Sequence, residues 1–181
     1  MQRFIALAFS TLFLLSLNAA TPETHYTVIV SLDGFRWDYP NMYKTPNLDR
    51  MATDGVKAVM LPSYPASTFP NHYTLATGLV PDHHGIINNT FWDAKNRRQY
   101  SMGDSATRNN PEYYLGEPIW ITAQKQGVKT GNMYWVGSDI AIKKSHPTYY
   151  RPWNAKPFLT FEQRIDTVLT WLQKPEPERP R

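Results

Sequence analysis

The sequence contains no cysteine. That absence excludes thiol nucleophiles, thiolate metal sites, a lipid-modified N-terminal cysteine and disulfide staples together. The fold must be held by its core, and any metal by ligands such as Asp, His, Asn or Thr. There is no internal repeat and no low-complexity segment. Charge of one sign is also lacking: 19 Lys and Arg face 15 Asp and Glu, for a net +4, and the basic residues are scattered among the acids. A nucleic-acid groove is therefore not indicated. Arg97 and Arg98 are adjacent, but two neighbouring loop charges read as solvated surface.

Long apolar runs are confined to the start. Met1, Gln2 and Arg3 precede an apolar stretch from Phe4 to Leu17, followed by Asn18, Ala19 and Ala20 and then polar residues. This is the layout of a signal peptide over residues 1–20, with cleavage near Ala19 or Ala20. The run is short for a bilayer span, an uncleaved anchor being the other reading, and no stable membrane span is expected after cleavage. An exported protein without cysteine suits a periplasm, with secretion as the wider expectation. The full chain of 181 residues has 41% hydrophobic and 14% aromatic content, and residues 21–181 are long enough for one folded domain with its own core.

Residues 26–32 read YTVIVSL, a β-branched run bounded by Asp33 and Gly34, as expected of a buried strand in a parallel sheet. Asp33 would then sit at the carboxyl end of the strand, where open α/β sheets bind ligands. Thr45 and Pro46 offer a helix start and Gly55 a stop. Residues 56–61 form a second extended run, 62–65 a loop, and 69–77 a helix ending at Gly78. A helix over 118–126 and an aromatic-rich strand over 129–136 repeat the rhythm. Thr160 and Gln163 make a capping box ahead of Ile165, Val168, Leu169 and Leu172, which share one helical face. The alternation predicts an α/β fold with a mainly parallel sheet flanked by helices. The chain stops at KPEPERPR, where a further strand is expected, so it reads as truncated.

Three clusters carry chemistry. In SLDGFRWDY, Asp33 precedes a glycine that permits a sharp turn, and its carboxylate is either a ligand for a cation or an ordinary turn residue. SYPASTFPNHYTLATG puts Ser67 and Thr68 where a loop becomes a helix, with free N–H groups and a positive dipole end that favour phosphate. A hydroxyl there is either a helix cap or a nucleophile. Threonine is a poor nucleophile at neutral pH and needs a base or a metal to act as one; Asp33 can help supply the metal. PDHHGIINNTFWD concentrates His83, His84, Asn88 and Asn89, yet adjacent histidines diverge and neither HxH nor HxxxH spacing occurs. Turn or supporting roles are expected for His83 and His84, and for His72 beside Tyr73 within a helix.

SLDGFRWDY, PSYPASTFPNHYTLATGLVPDHHGI, NNTFWD and YWVGSDIAI together resemble the nucleotide pyrophosphatase/phosphodiesterase family of the alkaline phosphatase superfamily. The resemblance runs from Tyr26 to Leu172, and its middle segment is highly specific. It implies an alkaline phosphatase-like α/β core with two zinc ions, Asp33 as a zinc ligand, and Thr68 as a nucleophile that also touches metal. Asn89 matches the asparagine that, with the Thr68 backbone N–H, holds a phosphate oxygen. Phe69 matches an aromatic that packs on a nucleotide base. HPTYYRPWN resembles the place of a second base-stacking aromatic, at Trp153 or the neighbouring Tyr150, although ordinary packing is the default role for any one aromatic. The family's other Asp and His ligands should follow the last helix, and nothing after Leu172 matches them.

The resemblance implies zinc-dependent hydrolysis of phosphodiester or pyrophosphate bonds through a threonyl intermediate, with small nucleotides as substrates and nucleoside 5′-monophosphates as products. Lysophospholipid or choline esters and phosphonates are the alternatives within the same metal core, since fold does not choose substrate. A truncated, non-catalytic module is the alternative outside enzymes, and the 181-residue chain by itself is expected to be inactive.

Overall fold

The computed structural model describes residues 25–181. The signal-peptide expectation falls outside the described residues. Among those residues no helix is long and apolar enough to cross a membrane.

Among the described residues seven α-helices, one short 3-10 turn and four short strands follow one another. Helix α1 is Tyr39–Met42 and α2 is Pro46–Asp54, each opened by proline at its first turn. Helix α3, Thr68–Thr77, is the central element. It begins after Ser67, whose backbone is still extended, carries Pro70 in its first turn where a missing N–H costs nothing, and stops at Gly78 with φ of +69°. Helix α4, Pro81–His84, ends at Gly85, where φ is +86° and a Cβ would lie 2.6 Å from the Tyr113 carbonyl oxygen, so only glycine fits.

Strands β1, Thr90–Asp93, and β2, Arg98–Ser101, pair antiparallel with Phe91 opposite Tyr100. The Asp93 carboxylate closes their turn by accepting from the N–H groups of Lys95 and Asn96 at 3.0 and 3.1 Å. After α5, Ser105–Arg108, and the 3-10 turn Pro111–Tyr113 comes α6, Ile119–Lys125. Strands β3, Gly131–Met133, and β4, Tyr149–Arg151, pair in parallel. Helix α7, Phe161–Leu172, closes with the full Thr160–Gln163 capping box.

The core is aromatic. Phe69, Tyr73 and Ala76 of α3 pack with Ile86, Tyr100, Tyr113, Tyr114, Trp120 and Ile121, and with Val136, Ile140 and Ile142. Burying each large apolar side chain contributes roughly 1.5–3 kcal/mol. The phenols keep their partners: Tyr73 donates to the Leu115 carbonyl at 3.0 Å, and the Tyr100 and Tyr114 hydroxyls meet at 3.0 Å. Burial pushes the Tyr100 hydroxyl up to about 12.

Several expected elements differ. Residues 26–32 are not a paired strand: no described residue pairs with them, and Val30 is 75% exposed. A β-branched run favours extension, but it becomes a strand only when a neighbour takes its backbone groups. Residues 56–61 are likewise unpaired and exposed. The strand expected over 129–136 shortens to β3 because Tyr134, at φ of +56°, leaves extended geometry. The capping box of α7 is as expected, but its inward face is so only in part. Ile165 and Leu169 are exposed while Val168 and Leu172 are half-buried, and Trp171 lies so near Gly131 that a Cβ there would meet its ring at 3.0 Å, and stacks on Tyr149 at 5.9 Å.

Candidate active site

The start of α3 gathers the polar residues singled out in the sequence. The Thr68 hydroxyl donates to Asp33 Oδ2 at 3.3 Å, across 35 positions of chain. Asn89 Oδ1 accepts the Phe69 N–H at 2.9 Å. This satisfies one of the free donors of the first helical turn from a loop 20 residues away. With its oxygen so fixed, the Asn89 amide nitrogen has no acceptor among the described residues, and neither has the Thr68 N–H. Two donors and one hydroxyl therefore sit at one helix N-terminus, where the dipole favours an anion.

Neighbouring residues hold this arrangement. Asn71 donates from Nδ2 to the carbonyls of Pro65 and Ser67, each at 3.0 Å, while its Oδ1 accepts the Ser63 N–H at 2.8 Å. These bonds lock the loop ahead of Thr68 onto the helix. Ser67 donates to Asn88 Oδ1 at 3.1 Å, and that same oxygen accepts the Asn89 N–H at 2.8 Å, which aims Asn89.

His72 bridges the two halves of the site. Its Nδ1 lies 2.8 Å from the Thr68 carbonyl and its Nε2 lies 2.9 Å from Ser31 Oγ, two residues before Asp33. Trp135 packs edge-on against His72 at 5.6 Å and donates to its carbonyl at 3.1 Å. Sequence reading gave no role to Asn71, Asn88, Ser31 or Trp135. The i to i+4 spacing of Thr68 and His72 was the one available signal, since a side chain there can reach back to that carbonyl.

The histidine pair divides. His84 is fully buried: Nδ1 accepts the Ile86 N–H at 3.2 Å, so Nε2 carries the proton toward Thr74 Oγ1, 3.0 Å away. Desolvation pushes its pKa below 6.5. His83 faces solvent within 3.9 Å of Asp82. Among the described residues no group of three or more His, Asp or Glu could hold a metal. The Asp33 carboxylate and the Thr68 hydroxyl are the two oxygen groups that meet here, whereas a four-coordinate zinc site takes four ligands.

The three aromatics of interest lie in different settings. Phe69 is 5% exposed and belongs to the core. Tyr150 is 38% exposed and stacks in parallel on His146 at 4.9 Å. Trp153 is 36% exposed, with the Arg108 guanidinium 5.6 Å from its ring centre.

The family model for type I phosphodiesterase / nucleotide pyrophosphatase matches residues 27–181. The chain belongs to this family. It is 44% identical over 156 residues to ectonucleotide pyrophosphatase/phosphodiesterase family member 3 of Bos taurus, covering 84% of this chain and 18% of that protein. It is 44% identical over 161 residues to family member 1 of Homo sapiens, covering 87% and 17%. Among solved structures, murine ectonucleotide pyrophosphatase/phosphodiesterase 5 superposes with a TM-score of 0.73 at 34% identity, over 82% of this chain and 39% of that one. An inactive threonine-to-alanine variant of the same murine protein, in complex with AMP, gives 0.74 at 33% identity, over 83% and 39%. The chain thus spans under a fifth of the curated relatives and about two fifths of the solved neighbours. Its fold class is the α/β, alkaline phosphatase-like class of this phosphodiesterase family. Of a parallel sheet the described residues contain the β3–β4 pair.

Proposed function

We propose that residues 21–181 are the N-terminal portion of a phosphodiesterase catalytic domain that hydrolyses small nucleotides, behind a signal peptide at residues 1–20. The observation that carries this reading is the Thr68 hydroxyl held by Asp33 at the N-terminus of α3, with the Asn89 amide beside it. The family membership and the AMP complex of a solved neighbour support a nucleotide substrate. The inactive threonine-to-alanine variant of that neighbour supports a threonine nucleophile. Relatives named as ectonucleotide enzymes support export, to a periplasm or beyond the cell.

In this reading Thr68 Oγ1 gives up its proton to solvent and forms a bond to phosphorus in line with the departing oxygen, whose bond to phosphorus breaks and which takes a proton from solvent, leaving the nucleotide as an ester of Thr68. Asp33 orients the hydroxyl by accepting its hydrogen bond. The Asn89 Nδ2 and the Thr68 N–H meet the non-bridging oxygen as its charge grows, since neither has another acceptor. Water then releases a nucleoside 5′-monophosphate and restores Thr68. Asp33 and Thr68 would belong to one of two zinc sites completed by other residues, and bound zinc would supply Lewis-acid stabilisation of the alkoxide and leaving oxygen. Tyr150 and Trp153 offer exposed faces to the base, and Phe69 the edge its packing leaves.

Among the described residues no group of three or more His, Asp or Glu could hold a metal, which supports a second reading for the 181-residue chain taken alone, that of an inactive module. Turnover of ATP, a dinucleotide and glycerophosphocholine by the full-length natural protein tests the substrate. Release of nucleoside 5′-monophosphate from the first two is expected. Preferential cleavage of the choline ester would move the function to lipid headgroups, and zinc binding with ester hydrolysis by the isolated chain would remove the inactive-module reading.

A further inference from the structure

We propose that Arg108 is a positioning residue for nucleotide binding, holding Trp153 with one face covered and the other open to the base. The inference rests on the reading of Trp153 as a base contact, and it adds a residue that no part of that reading contains.

The geometry begins with burial. Arg108, the last residue of α5, is 4% exposed, an unusual place for a guanidinium. It is held there by its own hydrogen bonds: Nη1 donates to the Met102 carbonyl at 3.0 Å and Nε to Asn109 Oδ1 at 3.2 Å. Nη2 is buried with no partner among the described residues. Its guanidinium carbon lies over the Trp153 ring, 5.6 Å from the ring centre. A structural arginine that leaves one nitrogen unpaired incurs a desolvation cost. The cation–π contact offsets part of it, as does the charge of the buried Asp139 carboxyl, whose pKa Arg108 helps to lower.

Trp153 sits in the loop after β4, where a large ring would otherwise sample several rotamers. Ordering such a side chain on binding costs conformational entropy. A planar guanidinium, fixed from the backbone of another element, sets the ring in advance. Tyr150 is treated the same way, because His146 lies parallel to its ring at 4.9 Å and 4°. Both exposed aromatics of the segment thus have one face occupied from inside and one left outward. Each ring backed in this manner keeps a face for a flat ligand.

The test is a cycle of Arg108→Met, Trp153→Ala and the double variant in the full-length natural protein. Two substrates share a leaving group and differ in the nucleoside: the p-nitrophenyl ester of thymidine 5′-monophosphate, and methyl p-nitrophenyl phosphate. Arg108→Met is expected to raise KM for the thymidine ester about fivefold with kcat held, to leave kcat/KM for the methyl ester within about twofold, and to add nothing once Trp153 is Ala. If Arg108→Met does not fold, Arg108→Lys takes its place in the same cycle, since it removes the planar stack. An equal loss on both substrates, an additive double variant, or an unchanged KM while Trp153→Ala raises it, would each overturn the role of Arg108. An unchanged KM in Trp153→Ala itself would instead sink the base-contact reading beneath it.

Discussion

The hydroxyl of Thr68 donates to the carboxylate of Asp33 at 3.3 Å, joining the loop after residues 26–32 to the first turn of α3. Neither residue is placed by its own element alone. Asn71 fixes the loop before Thr68, and His72 ties the Thr68 carbonyl to Ser31, so the pair is set by two histidine contacts and three amide bonds. A small movement of α3 would separate them, and the following expectations probe how that geometry is used.

Asn89 has two separable duties. Its oxygen takes the Phe69 N–H, and its nitrogen is free to meet an anion. Asn89→Asp keeps the acceptor and loses the donor, so thermal stability should stay near wild type while kcat falls about 100-fold or more. Asn89→Ala should lose both, with about 1 kcal/mol of stability gone as well. Thermal melts beside steady-state kinetics distinguish them; equal stability loss in the two variants would show that the cap is unimportant.

Asp33→Asn preserves a hydrogen-bond acceptor for Thr68 and removes the charge. If Asp33 contributes to a metal site, zinc content of the full-length natural protein should drop, and activity with it, by about 100-fold. Elemental analysis after dialysis is the readout. Full zinc occupancy in the variant would make Asp33 a turn residue that only orients Thr68.

His84 gives a pH dependence with a definite sign. Burial lowers its pKa in the folded protein below 6.5, so the unfolded chain binds the proton more readily. Its contribution is fully present above that unfolded value and is lost as pH falls from there through the folded one. The Asp139 carboxyl, raised above 3.8 by burial, acts with the opposite sign, so the comparison must be a difference. Melting temperatures of wild type and His84→Gln should lie furthest apart near pH 8 and converge toward pH 5. A constant gap would place His84's role in packing alone.

The parts legible in the sequence were those whose signals are local. Thr68 at a helix start, the Thr160–Gln163 cap and the Gly78 stop each depend on a few adjacent residues, and the structure has them. The β1–β2 hairpin escaped notice because RRQYS lacks β-branched residues, and its turn is closed by the Asp93 side chain. Residues 26–32 and 56–61 carry strand-forming side chains without a described partner, and pairing is a non-local property no window of sequence contains. The inward face of α7 keeps Val168 and Leu172 but turns toward Trp171 and away from Ile165 and Leu169, because the indole finds Tyr149 to stack on, a partner that spacing along one helix does not contain.

The central claim is that Thr68 attacks phosphorus, and Thr68→Ala in the full-length natural protein tests it most directly. Cleavage of the p-nitrophenyl ester of thymidine 5′-monophosphate should fall by about a thousandfold or more, with the melting temperature nearly unchanged because Thr68 caps no bond in the core. Turnover within a few-fold of wild type in a folded Thr68→Ala protein would contradict it.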